Sequence, residues 1–490
     1  MGNIDATLNI KLGELLDNQT ELLNRFDLGL TQVENKKNQV LTTIENKKNQ
    51  VVDELEAIIS PNIGFIGNAG SLGFGVGNAP DILASQYGLV GLEGFQNPIS
   101  QNYGNYFHIK SGSIMVYIPK HYVKYTNETI EPYLGTRIDV SHTQLAGYKL
   151  PRVFINNGFV IDGIFVDKYK GGIVENMFVS RRGLNPASTH TDHNPISQCT
   201  ANGKTPTNTY GGMYDAVKSR GNDFVLMSVF LATMMADLAD AHYQACFRNN
   251  NFESCAWAKV APYQPKGCNN NALGDTNDSS VVYKSSGHSN CGLTGGVTDT
   301  ILAKTTHNGQ SCGVADVNGL MWEVASGFIR TTANGFLVFK DTVDIRIITD
   351  DGTGATGAYN IAHYDPINLS AVIGAQNAWT YFGNANNQVF GFSTDKNTAT
   401  YKQTSIGIPL AAGIGGTVEF GNDGLYRHLV DQLAVIVGGD WIHTSTAGVF
   451  CMGLGNVRSY SPDFVGGRAS FLVQEWSDSE TIGREINVSS

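Results

Sequence analysis

The stretch HNGQSCGVADVNGLMWEV, residues 307–324, decides how the rest of the chain is read. It opens as a loop in which Gly309, Gly313 and Gly319 alternate with Asn308, Asp316 and Asn318, and it ends in an apolar run that carries Trp322 and Glu323. Gly, Asn and Asp supply turn geometry and local side-chain hydrogen bonds. Asp316, Asn318 and Glu323 also offer the oxygen donors that a hard cation such as calcium takes from a tight loop. The spacing is not that of an EF-hand. On the residues alone two readings stay open: a structural metal site, and a turn whose polar groups cap its own backbone.

Around this stretch lie 490 residues, enough for roughly two to four folding units. Apolar residues make up 41% and aromatics 10%, which suffices for a large core, while charged residues reach only 16%, below the usual ~25%. With 56 glycines the composition is loop-rich. A net charge of −11 argues against a nucleic-acid partner, which needs a basic footprint. The opening MGNIDATLNIKLGELLDN lacks the basic and apolar regions of a secretion signal, and Ala6 breaks the myristoylation pattern. No run reaches the ~18 apolar residues of a membrane span. The expectation is a soluble chain made in the cytoplasm, with no membrane insertion. Cysteines stand at 199, 246, 255, 268, 291, 312 and 451, none in a C-x-x-C spacing, so buried free thiols are expected rather than zinc. A disulfide or two within 246–312 stays open for a protein that works in an oxidising place.

The N-terminal part carries a repeat. ENKKNQV occurs at 34–40 and again at 45–51, a shift of 11 residues. Val33, Val40, Ile44, Val51 and Leu55 follow in steps of 7, 4, 7 and 4. That period is near 3.67 residues per turn and favours a straight or slightly right-handed bundle. Upstream, Leu12, Leu15, Leu22, Phe26 and Val33 lie closer to heptads. A seam this narrow between Asn, Lys, Gln and Glu flanks predicts an oligomeric coiled-coil stalk over 1–60, ended by Pro61; the alternative is a lone helix packed on the body. Residues 61–105, rich in Gly and Asn, read as a joint or docking segment.

From 106 to 490 the pattern is α+β with long loop insertions. Strand-like runs occur at 113–118, 122–125, 158–169, 336–340, 344–349, 433–439 and 469–473. The clearest helix follows Ser228 as N-cap, with Phe230, Met234, Leu238, Ala241 and Ala245 on one face. Residues 248–320 read mostly as loop, a length few domains carry without a use for it. His190, Asp192 and His193 read as solvated loop residues rather than metal ligands.

Two motifs carry a resemblance. GVADVNGLMWEV resembles the G-x-x-D-x-x-GN-x-WEW signature of formylglycine-generating enzymes, which have a C-type-lectin-like fold. GGDWIHTSTAGVFCMGLGNVRSYSPDFVGGRAS, residues 438–470, is similar to the GGSW…R…P…GFR ending of that family, with Arg458 and Arg468 at its arginine positions. The resemblance implies a calcium near the WEW turn, held by Asp316, the backbone of Gly319 and Met321, and Glu323. Those enzymes need two cysteines shortly after GGSW to bind copper. Here only Cys451 is present, so neither copper nor oxidase activity is expected.

Residues 440–464 also resemble the variable region of phage tail proteins of the major tropism determinant type, which retroelements diversify by randomising adenines in Asn codons. Such codons yield Asp, Ile, His, Thr, Cys, Gly, Tyr or Phe. Asp440, Ile442, His443, Thr444, Thr446, Cys451, Gly453, Gly455, Tyr460, Asp463 and Phe464 are of those types, set among framework-like residues such as Trp441, Gly448 and Arg458. GSIMVYIPKHYVKY, GYKLPRVFINNGFVIDGIFVDKYKGG and PKGCNNNALGD resemble the body of the same proteins, so the likeness covers most of 75–470 but not the stalk. It implies a homotrimeric tail-fibre or receptor-binding protein in the virion tail. Such a protein has a coiled-coil stalk, a C-type-lectin-like head, other phage tail proteins as neighbours, and a bacterial cell-surface receptor, protein or glycan, as target. The expected contact residues are Ile442, His443, Thr444, Tyr460, Asp463 and Phe464, with Trp441 as a core anchor. The alternatives are a structural collar or baseplate protein with a non-binding head, and an oxidase of the formylglycine-generating type.

Overall fold

The computed structural model describes residues 2–59, 63–130, 133–257, 266–373, 377–382, 390–410 and 422–473, by backbone alone at 2–6, 46, 49–59, 82–83, 127–130 and 133–135. The chain divides into two compact units, residues 1–61 and 62–490. Pro61 and the side chains of Val51 and Leu55 lie outside the described residues.

The first unit is one helix, α1 (Gly2–Ile59), whose 58 residues span about 87 Å at 1.5 Å per residue. Leu12, Leu15, Leu22, Phe26, Val33, Val40 and Ile44 are each more than half exposed. Thr20, Thr31 and Thr42, spaced by 11, each donate a hydroxyl hydrogen bond to the carbonyl four residues back. The 11-residue period therefore starts upstream of the repeated heptapeptide, where the leucine spacing suggests heptads.

The second unit is mixed α+β. Its two larger sheets use β1 (Leu89–Gly91), β2 (Asn105–His108), β3 (Ser113–Pro119), β4 (Gly163–Asp167), β5 (Phe224–Leu226), β6 (Trp322–Ala325), β7 (Ala378–Tyr381), β8 (Gly424–Arg427), β9 (Leu433–Val437), β10 (Met452–Val457), β11 (Val465–Gly466) and β12 (Ala469–Val473). The first sheet runs β1-β2-β3-β4-β12-β5 and the second β7-β8-β10-β9-β6-β11. β3 and β4 are near-continuous apolar runs because both of their faces are covered, and every residue of β4 is buried. β11 lies parallel to β6 in the second sheet, and three residues later β12 enters the first. Residues 465–473 therefore stitch the sheets together, with Arg468 at the crossing.

The long body helix α2 (Val229–Arg248) begins where expected: the Ser228 hydroxyl accepts from the Leu231 amide. It is buried on all sides rather than one, from Val229 to Cys246. Its polar residues are used inside: Asp237 accepts from the Tyr125 hydroxyl at 2.5 Å, and Gln244 bonds the Ile138 amide and the Thr136 carbonyl. The segment expected as a joint belongs to the body from residue 62. Ile66, Phe74, Val76, Tyr103 and Tyr106 are fully buried in the main core. Tight glycine turns allow this; at Gly67 (φ +81°) a Cβ would come within 2.9 Å of the Phe74 Cα.

The run at 344–349, expected as a strand, is a 3₁₀ turn (Ile345–Ile347), because the Asp344 carboxylate accepts from the Arg346 amide and guanidinium. Among the described residues of 248–320 the only regular element beyond the end of α2 is the short helix Asp299–Thr305. The loops there close over a small second core that includes Cys268, Tyr283, Cys291, Leu320, Met321 and Trp441. All seven cysteines are buried free thiols. Among the described residues no helix is long and apolar enough to cross a membrane.

Candidate functional site

The site starts from the connection between β9 and β10. Gly438 and Gly439 both take positive φ (+91° and +84°), and a Cβ on Gly439 would stand 2.6 Å from that of Ala447. This tight turn buries Asp440 and Trp441. Trp441 enters the second core, as expected of an anchor. One Asp440 carboxylate oxygen accepts from the amides of Ile442 and His443 and, at 2.6 Å, from His443 Nδ1. His443 is thereby fixed with Nε2 facing away from the aspartate.

His443 stands in an open cavity of about 490 Å³. Its ring meets Trp322 edge-on at 5.0 Å and Trp379 at 5.6 Å. Trp379 in turn packs on Tyr426 of the neighbouring strand at 5.2 Å. Tyr460 and Phe464 form the opposite aromatic pair, 6.3 Å apart. Gly453 and Gly455 on β10 leave room between them: a Cβ at Gly455 would meet the Tyr426 ring at 2.6 Å. Among the described residues the lining includes no Asp, Glu, Lys or Arg; its polar groups come from Asn377, Asn456, His428, His443 and the two tyrosines. Burial, with the nearby Asp440 and Asp463 charges, pushes the Tyr460 phenol up, so it stays a hydrogen-bond donor. Flat aromatic faces with a few polar groups suit a ligand that stacks.

The structure brings together three of the six expected contact residues, His443, Tyr460 and Phe464. Ile442 and Thr444 are exposed but do not line the cavity. Asp463 turns elsewhere, accepting from His288 Nε2 at 2.7 Å, while its carbonyl bonds His193. His193 and His288 stack at 4.1 Å, so His193 is buried rather than solvated as its loop suggests. Of the other residues of diversifiable type, Asp440, Thr446 and Cys451 are buried. Arg458 leaves the site to pair with Asp350 at 2.5 Å. Trp379, Tyr426 and His428 were not legible as site residues; the aromatic runs AWTYF and GLYRH are the only trace they leave in the sequence.

Trp322 faces this cavity, and Glu323, pointing to the other side of β6, enters a buried ionic knot. Lys170 Nζ donates to Glu323 Oε1 at 2.8 Å and to the Met321 carbonyl at 2.6 Å. Arg468 Nε donates to Glu323 Oε2 at 2.8 Å, and its Nη atoms bond the carbonyls of Asp167, Lys168 and Ala315. Burial raises the Glu323 carboxyl, but the Arg468 and Lys170 charges outweigh it and hold it below its usual range. Asp316 accepts from the Tyr283 hydroxyl and the Gly295 amide, and burial keeps its carboxyl raised. The Gly319 carbonyl accepts from the Met321 amide. As arranged, this donor set does not fit the calcium implied by the motif. The Lys170 ammonium already takes Met321 and Glu323, and a divalent ion there would face two fixed cations.

Cys451 is buried, and burial pushes its thiol well up. Among the described residues the one side-chain cluster with the geometry to hold a metal ion is His242, Cys246 and Cys255, away from this cavity.

No protein-family model matches the chain, and no curated protein matches it at a significant level.

Proposed function

We propose that this chain is a phage tail receptor-binding protein of the major tropism determinant type, carried in the virion tail. In this reading the body is a C-type-lectin-like head, and the aromatic cavity between β7, β8 and β10 is where a bacterial surface molecule binds. The observation that carries it is the make-up of the cavity. His443, Gly453, Gly455, Tyr460 and Phe464 all line it, and all are residue types that a randomised Asn codon yields. Trp322, Trp379 and Tyr426 supply a constant aromatic wall. A side chain at 455 would press on the Tyr426 ring and one at 453 on Ile436, so variation at either position reshapes the floor of the cavity.

The site reads as binding rather than catalytic, since among the described residues its lining places no serine, threonine or cysteine hydroxyl or thiol beside the His443–Asp440 pair for it to activate. The exposed seam of α1 supports a trimeric coiled coil as the stalk, joined to other tail proteins. Several heads on one stalk raise the effective concentration and turn weak single contacts into firm attachment.

Deep sequencing of the whole gene across a passaged population tests this reading. Substitutions concentrated at codons 443, 453, 455, 460 and 464, with Lys170, Glu323 and Arg468 fixed, are expected. A segment as invariant as the rest of the gene would overturn diversification and favour a structural collar or baseplate protein. The light-scattering mass of the full chain should be that of three copies; a mass of one would overturn the stalk.

A further inference from the structure

Cys246 sits on the last buried turn of α2, and Cys255 lies in the loop that follows, beyond the mostly exposed residues 248–253. One helical turn before Cys246 stands His242. Its ring nitrogen and the two sulfurs all lie within 4.8 Å of one another. Two chemistries suit such a group: a soft metal ion, or a bond between the sulfurs.

His242 decides between them. Its Nδ1 accepts the Gly70 amide hydrogen at 3.0 Å, so the ring proton is on Nε2, which donates to the Ser254 carbonyl at 3.0 Å. A metal-ligating histidine has the reverse arrangement: one nitrogen bare toward the ion, the other donating outward. Phe74 stacks on the ring at 5.1 Å and holds it in place. The imidazole therefore has no lone pair for an ion, which leaves the two thiols.

Those thiols are not equivalent to the rest. The hydrogen bond from Cys255 outweighs burial and, with His242 and Ser254, holds the Cys246 thiol below the usual range. Burial pushes Cys199, Cys268, Cys291, Cys312 and Cys451 the other way. The thiolate is the species that attacks a disulfide. Both sulfurs are buried, and the approach to them is from the open cavity of about 390 Å³ that Ser254 and Ala256, on either side of Cys255, line.

We propose that Cys246 and Cys255 form an oxidisable pair that closes into a disulfide once the protein meets a small disulfide oxidant outside a reducing compartment. The Cys246 thiolate attacks the oxidant's S–S bond, forming a mixed disulfide and expelling one thiolate. The Cys255 sulfur then attacks Cys246, and the second oxidant thiolate leaves. Two protein thiols are oxidised, the oxidant is reduced to two thiols, and the two protons pass to the leaving groups. The bond staples the end of α2 to the loop that follows.

The test incubates the folded full chain with glutathione disulfide, then denatures, alkylates and digests it with trypsin, which cuts after Arg248 and so separates the two cysteines. Alkylatable thiols should fall from seven to five, with a link between the peptides that carry Cys246 and Cys255, and the melting temperature should rise by several degrees. Cys255→Ser should show no link and stop at the mixed disulfide, with five alkylatable thiols and one glutathione on the peptide that carries Cys246. Seven free thiols after oxidation, or a link elsewhere such as Cys268 to Cys291 with Cys246 and Cys255 both free, would overturn the pairing. So would stoichiometric zinc or copper on the purified chain that Cys255→Ser loses. If Cys255→Ser does not fold, the thiol count and link map of the unmodified chain decide alone.

Discussion

The two sides of strand β6 hold neighbouring residues in opposite circumstances. Trp322 looks into an open cavity whose described lining is aromatic and free of Asp, Glu, Lys and Arg, and Glu323, one residue on, is locked between Lys170 and Arg468 in the dry interior. One face is open and lined with aromatic rings. The other has already satisfied its polar groups from within the chain. A motif that in the enzymes it resembles belongs to a calcium site is here divided between a cavity wall and an internal ionic knot.

The largest way to break the comparison is Glu323→Ala. It leaves Lys170 and Arg468 buried without a counter-charge, a change that costs about 3–5 kcal/mol. All five tryptophans lie beyond residue 61, so urea unfolding followed by tryptophan fluorescence reports the body alone. A midpoint close to that of the unmodified chain would mean the knot is solvated. A smaller effect comes from pH. The folded Glu323 carboxyl lies below its ordinary value, so its contribution is complete above the usual range, ~4.3, and is lost as pH falls through the folded value. Asp167 and Asp423, raised by burial, act in the opposite sense, so the difference between the unmodified chain and Glu323→Gln is the quantity to follow. That difference in melting temperature should shrink on acidification below pH ~4; a constant difference would remove the charge from the account. The smallest effect belongs to the cavity rim. Tyr460→Phe removes one hydrogen-bond donor and should weaken ligand binding by roughly 3–10-fold, about 0.5–1.5 kcal/mol, with no change in melting.

How much of this was legible follows from where the partners lie in the chain. The 11-residue repeat announces α1, because a helix writes its period into consecutive residues. Ser228 announces the start of α2 for the same local reason. The cavity is half legible: His443, Tyr460 and Phe464 fall within one short segment of recognisable composition. Trp379 and Tyr426 sit on four-residue strands with no pattern of their own, and only the β7–β8 pairing brings them together. The knot was the least legible. Glu323 asks for a cation, and the sequence motif points to a metal, but the cation that answers is Lys170, 153 residues away. The polar residues of α2 misled for a related reason, since their partners Tyr125, Thr136 and Ile138 lie on the distant paired strands Tyr122–Ile130 and Tyr133–Ser141.

The central claim is that the aromatic face binds while the ionic face only holds the fold. Trp379→Ala tests it most directly, with binding of the full-length chain to receptor-bearing bacterial cells titrated beside the unmodified protein and melting measured on the same preparations. The account predicts affinity at least about 30-fold lower, the loss of roughly 2 kcal/mol expected of a central aromatic contact, with melting nearly unchanged. Equal affinity for the two proteins would contradict it.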